Sequence, residues 1–141
     1  MEQWDEHSEK VSRIRPDKEK AKSLLKIVEL REKDLKSKDK KEFATLIVEG
    51  YYEIIKELIT GIMSIDGYKT ISHELLIAYM DQFYKEFSSA ELYVMDNLRK
   101  TRNDIAYRGV LIPLQYLERD EKEFIAIIVK LKKIVSTKLI K

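Results

Sequence analysis

The residues best suited to chemistry lie together in Asp96-Asn-Leu-Arg-Lys-Thr-Arg-Asn-Asp-Ile-Ala-Tyr-Arg-Gly109, which sets Arg99, Lys100, Arg102 and Arg108 among carboxylates, Asn103 and Tyr107. On a helical wheel at about 100° per residue, Leu98, Arg102, Ile105 and Ala106 fall on the side of Met95, the apolar stripe. A guanidinium in line with core residues needs a partner to offset its loss of water. Asp96, Arg99, Asn103 and Tyr107 line the flank of that stripe within roughly 80° of arc. A guanidinium, an amide and a phenol that converge beside a core face have the makings of a site. The same arrangement has a structural reading, in which Arg102 anchors a buried carboxylate such as Glu49 or Glu53. Both readings stand on the sequence.

Other chemistries lack their residues. There is no glycine-rich phosphate loop, no His-Glu-x-x-His and no serine elbow. The chain has no cysteine, hence no disulfide framework and no thiolate. His7 and His73 are far apart and have no ligand-type neighbours at metal spacing, so no metal and no cofactor are expected. His73 follows Ser72, a candidate helix cap, and reads as a polar residue of a first turn. Lys130, Lys132, Lys133 and Lys138 alternate with apolar positions and read as a solvated face. Tyr51 and Tyr52 lie in apolar stripes and read as core. Glu49, Glu53 and Lys56 read either as surface residues or as partners of Arg102.

Five helices are expected to position these groups. Charged residues make up 37% of the 141 and nearly cancel, leaving +2, so a dedicated polyanion binder is disfavoured while a local basic patch is not. Residues 1–15 have no clear period and read as a tail docking loosely through Trp4, Val11 and Ile14; residues 16–141 read as one helical domain. Pro16-Asp17 opens a helix to about Ser37. Asp39-x-x-Glu42 reads as the capping box of a helix of about 24 residues. That helix is apolar around most of its circumference, so it should be the central one. Gly50 allows close approach to it, and Asp66-Gly67 stops it. Ser72 caps a short helix to about Phe83. Ser88-x-x-Glu91 opens the arginine-bearing helix, and Gly109 and Pro113 end it. Asp120-x-x-Glu123 opens the last, with Phe124, Ile127, Ile128, Leu131, Ile134, Val135 and Leu139 on one face. No segment alternates as a strand. The fold expected is all-α, an up-and-down helical bundle with a long central helix. No apolar run is long enough to span a membrane and the polar, acidic start is no signal peptide, so a cytoplasmic protein is expected. The Lys, Glu, Ile and Tyr bias is thermophile-like.

Three segments carry a family resemblance: Arg102-Asn103-x-x-Ala106, Glu49-Gly-Tyr-Tyr-Glu-Ile-Ile-Lys-Glu-Leu58, and Asp66-Gly-Tyr-Lys-Thr-Ile-Ser-His-Glu-Leu-Leu76. From about Pro16 to Lys138 the chain resembles the HEPN superfamily, in an archaeal-type branch. These are small helical domains whose motif is Arg, four to six residues, then His, often Arg-Asn-x-x-x-His. Family members are often metal-independent ribonucleases. There the histidine and arginine work at a cleft between two protomers, and RNA is cut by attack of its own 2′-hydroxyl. They also often work beside a small nucleotidyltransferase in toxin–antitoxin pairs. The resemblance implies a homodimer, with Arg102, Asn103 and Tyr107 at the catalytic positions and Arg99, Lys100, Arg102 and Arg108 as nucleic-acid contacts.

Tyr107 stands where that motif has its histidine. An ordinary phenol titrates near 10, so it is protonated at neutral pH and poorly suited to act as a base. The function expected is therefore RNA or nucleotide binding by a dimer, with weak or absent ribonuclease activity, at a cleft lined by Arg102. The alternatives are an active, toxin-like endoribonuclease and a protein-interaction partner of a nucleotidyltransferase. On a straight helix residues 102 and 107 diverge by about 140°. They are expected to meet only where the helix ends or bends between them, or where two copies pair.

Overall fold

The computed structural model describes residues 2–141 in the order β1 (Val11–Arg13), α1 (Lys18–Ser37), α2 (Ala44–Asp66), β2 (Tyr68–Thr70), α3 (His73–Phe83), α4 (Ser89–Arg108) and α5 (Leu114–Leu139). The fold is all-α, a five-helix bundle with one small ribbon. Its axis is α2, 23 residues long. Ile47, Val48, Tyr52, Ile54, Ile55, Leu58, Ile59 and Ile62 are all buried, and with the buried Glu57, Met63 and Ser64 they cover about 260° of its circumference. Such a helix must be enclosed, and α1, α3, α4 and α5 all pack against it. The last helix supplies Phe124, Ile127, Ile128, Leu131, Ile134 and Val135 to the same core. At Gly50, an added Cβ would lie 2.6 Å from Leu35 Cδ2, which shows how closely α1 crosses α2 there.

Local signals set most of the helix ends. Asp17 accepts from the Lys20 amide at 3.0 Å and Ser72 from the Leu75 amide at 3.3 Å. Ser88 and Glu91 form the full reciprocal capping box. Gly67 and Gly109 close α2 and α4 in the left-handed region, at φ +93° and +65°.

Four features differ from the sequence expectation. First, α5 opens at Leu114, after Pro113, and not at Asp120. Leu117 lies two turns before Phe124 on the same buried face, so the apolar period runs on past the presumed cap; Asp120 instead pairs with Arg119 at 2.8 Å. Second, Asp39 caps a turn ahead of α2: its carboxylate accepts from the Glu42 amide and its carbonyl from the Phe43 amide, both at 2.9 Å. Third, the N-terminal segment does contain a strand, with Val11 opposite Thr70 and Arg13 opposite Tyr68. Further hydrogen bonds from Ile14 to the Gly67 carbonyl and from Asp17 to the Ser64 carbonyl stitch it to the end of α2, both at 2.9 Å. Trp4 meets Tyr68, Tyr79 and Phe83 edge-on, so the docking is tight rather than loose. Fourth, Lys130, Lys132 and Lys138 hold Glu91, Glu32 and Asp66 at 2.7–2.9 Å instead of forming a free solvated face. Among the described residues, no helix is long and apolar enough to cross a membrane.

Candidate functional site

Met95 and Leu98, both fully buried, seat α4 on the core, and Ile105 is half-buried about two turns after Leu98. Ala106 is exposed, so the stripe is narrower than the wheel suggested. Arg102 continues that stripe, as expected, and its side chain is only 21% exposed. It faces Glu53 on α2, one of the two carboxylates the sequence offered, with Nε 3.6 Å from Oε1. That is an ion pair but too long for a hydrogen bond, and the buried Nε has no hydrogen-bond partner. Glu53 is bound more closely by Lys56, at 2.5 Å. Arg102 is thus partly desolvated and held by an ion pair without a hydrogen bond; its Nε is closed off from solvent, and an incoming anion would meet the part of the guanidinium that remains exposed.

Arg99 is different. Its Nε reaches Asp96 at 2.9 Å and its Nη2 reaches Glu74 of α3 at 3.6 Å, with 13% of the side chain exposed. It ties α4 to α3 and has little left for a ligand. Lys100 and Arg108 are exposed and only loosely paired, with Asp96 at 3.5 Å and Asp104 at 3.3 Å. Asn103 is half-buried beside them.

Tyr107 is 78% exposed, yet the guanidinium carbon of Arg102 lies 6.0 Å from its ring centre. The helix runs unbroken through Arg108, so no bend brings the two together. Five residues rise about 7.5 Å along a helix. Two long side chains leaning toward each other span that distance even though their Cβ directions diverge.

His73 is the residue the sequence placed least well. It does follow the Ser72 cap, but its ring lies 5.8 Å from that of Tyr52, in α2, and faces the arginine group. Burial holds its pKa below the ordinary imidazole value; Lys56, Arg102 and Arg99 push it the same way and Glu53 opposes them. Tyr52, 2% exposed, is pushed up by burial against the pull of Arg99 and Arg102. Three helices therefore bring together Tyr52, Glu53 and Lys56, then His73 and Glu74, then Asp96, Arg99 and Arg102. The legible signal was on α2, where Glu53, Lys56 and Glu57 interrupt an otherwise apolar surface. Nothing local announced His73 or Glu74.

One turn beyond Glu53, Glu57 is buried and takes both Nε and Nη2 of Arg31 on Oε1 at 2.8 Å, leaving Oε2 without a partner. Among the described residues no group of three or more acidic or histidine side chains has a metal-holding arrangement. Hollows of about 470, 350 and 490 Å³ lie beside Tyr84 and Lys138, between Leu35 and Ile125, and between Tyr93 and Tyr116; Arg102 lines none of these three. Compared with protein-family models, curated proteins and solved structures, the chain matches none.

Proposed function

We propose that this chain is a HEPN-like helical protein that works as a homodimer and binds RNA or a nucleotide at the Arg102 group, with weak or absent ribonuclease activity. The observation that carries this reading is the position of the Arg102 guanidinium, ion-paired without a hydrogen bond between the half-buried carboxylate of Glu53 and the exposed ring of Tyr107. A guanidinium so placed binds a phosphate oxygen, and an exposed phenol beside it stacks on a base. Lys100 and Arg108, both exposed on the same half of α4, extend the contact along a phosphate backbone. Pairing two copies would double this charge in one groove, which a net charge of only +2 per chain cannot do by itself.

Weak or absent cleavage follows from the phenol at position 107. Cutting RNA through its own 2′-hydroxyl needs a proton acceptor matched to neutral pH, and an exposed tyrosine is not one. The Arg102–Glu53 pair also favours a second reading, in which Arg102 is only a structural tie.

The deciding experiment measures binding of labelled single-stranded RNA and its cleavage without metal, with Arg102→Ala purified in parallel. Salt-sensitive binding without cleavage, lost in folded Arg102→Ala, is the expected result. Binding unchanged in Arg102→Ala would leave the structural tie. Cleavage lost in that variant would make the protein an active endoribonuclease. Absence of both, with a nucleotidyltransferase co-purifying, would make it that protein's interaction partner.

A further inference from the structure

We propose that His73 is the proton-linked contact of the Arg102 site: when a phosphate occupies the site, the imidazole takes up a proton and adds a cation against it. This rests on the binding reading above and gives that site a pH response. The geometry comes from three helices. The His73 ring lies against Tyr52 of α2. Tyr52 is followed on α2 by Glu53, which pairs with Lys56 and with Arg102 of α4, and His73 is followed on α3 by Glu74, which pairs with Arg99 of α4; Arg99 in turn holds Asp96. The N-terminal segment closes this side, with the Glu2 amide on Glu74 at 2.6 Å. The other histidine, His7, is exposed beside Glu6, 3.6 Å away, and belongs to a different surface.

The charge balance explains why the proton waits for the ligand. Lys56, Arg99 and Arg102 are cations, while Glu53 is already engaged by Lys56 and Arg102, and Glu74 and Asp96 by Arg99. An added proton on His73 would meet three cations with no carboxylate of its own, and burial adds to the cost. A phosphate reverses this. It meets the solvent-facing part of the Arg102 guanidinium and places a negative charge among the groups that had excluded the proton. By linkage, a ligand that raises proton affinity binds more tightly as pH falls. The site would then hold phosphodiester ligands more strongly in mild acid, through one residue that is neutral in the unliganded protein.

The test uses the dinucleotide adenylyl-(3′→5′)-adenosine, whose phosphodiester does not itself titrate between pH 5 and 8. The imidazole of His73 is followed by NMR across that range in the free and dinucleotide-saturated protein, and the affinity is measured in parallel. The expected result is a free imidazole that titrates below the ordinary value and rises on saturation. Affinity should increase severalfold from pH 8 to pH 5.5, toward the roughly tenfold limit of about one unit of linked shift, and the rise should vanish in His73→Gln. In the unliganded protein, Arg102→Ala should raise the His73 titration, a readout that needs no ligand and no His73 variant. Binding with no movement of His73 and no pH dependence would overturn this proposal and leave the binding reading intact. No binding at any pH by folded wild-type protein would overturn both.

Discussion

The guanidinium carbon of Arg102 lies 6.0 Å from the centre of the Tyr107 ring, five residues further along one continuous helix. The pair joins a partly buried cation to an exposed aromatic face, at the outer limit of a cation–π contact. Because Tyr107 is 78% exposed, Tyr107→Ala should change stability by no more than about 0.5 kcal/mol. Its effect should fall on binding: losing a stacked base costs about 1–3 kcal/mol, or roughly 5- to 150-fold in affinity. Tyr107→Phe should keep most of it. Titration with labelled RNA, alongside urea unfolding, separates the two effects.

Arg99 and Arg102 should behave oppositely on truncation. Arg102→Ala removes an unsatisfied buried nitrogen and leaves Glu53 with Lys56, so about 1 kcal/mol or less of stability should be lost. Arg99→Ala strips a 2.9 Å hydrogen bond from Asp96 and the α3 tie to Glu74, and about 2 kcal/mol should go. Denaturant midpoints of the two variants decide the order. The reverse order would mean that Arg102 is the main structural tie.

His73 gives a signed acid response. Its folded pKa is lowered by burial and by Lys56 and Arg102, so the unfolded chain takes up this proton first. Stability from this group is intact above the unfolded value of about 6.5 and is lost progressively as pH falls through the lower folded value. His73→Gln should therefore flatten part of the stability loss between pH 7 and pH 5 in thermal melts of the unliganded protein. An unchanged slope would mean that the imidazole is freely hydrated.

Asp66 holds together the opposite end of α2. Its Oδ2 accepts from the Tyr79 hydroxyl at 2.5 Å and the Tyr84 hydroxyl at 2.7 Å, while Oδ1 takes Lys138 at 2.7 Å. Asp66→Ala should cost about 3 kcal/mol, because the buried Tyr79 hydroxyl loses its acceptor. Tyr84→Phe should cost about 1 kcal/mol. Burial first, and then the carboxylate, push both phenols above their ordinary value. Stability from them is present below about pH 10 and is lost as alkali begins to ionise the unfolded chain. Ultraviolet titration should show these two tyrosinates forming only with unfolding.

Most of the helices could be read from the chain because they depend on residues a few positions apart. The apolar periods of α1 and α2, the Ser88–Glu91 box and the left-handed glycines 67 and 109 act within one or two turns. The true start of α5 is hidden in the sequence because Asp120-x-x-Glu123 has the form of a capping box, while Leu117 is a single apolar residue ahead of it. The three-residue strand at Val11 was invisible because so short a segment has no period of its own; its partner, Tyr68–Thr70, supplies the order.

At the site, the sequence by itself determined that Arg102 sits in line with the core and needs a partner, since helix geometry sets the first and the cost of desolvation the second. Which arginine is satisfied and which is left open was decided by the fold. Asp96 and Glu74 close on Arg99, while Glu53 is shared between Arg102 and a nearer lysine. The entry of His73 into that group was likewise decided by where α3 crosses α2 and α4. Side-chain identity determines what a group can donate or accept, but Coulomb and hydrogen-bond energies depend on ångström separations between residues far apart in the chain, and only packing determines those.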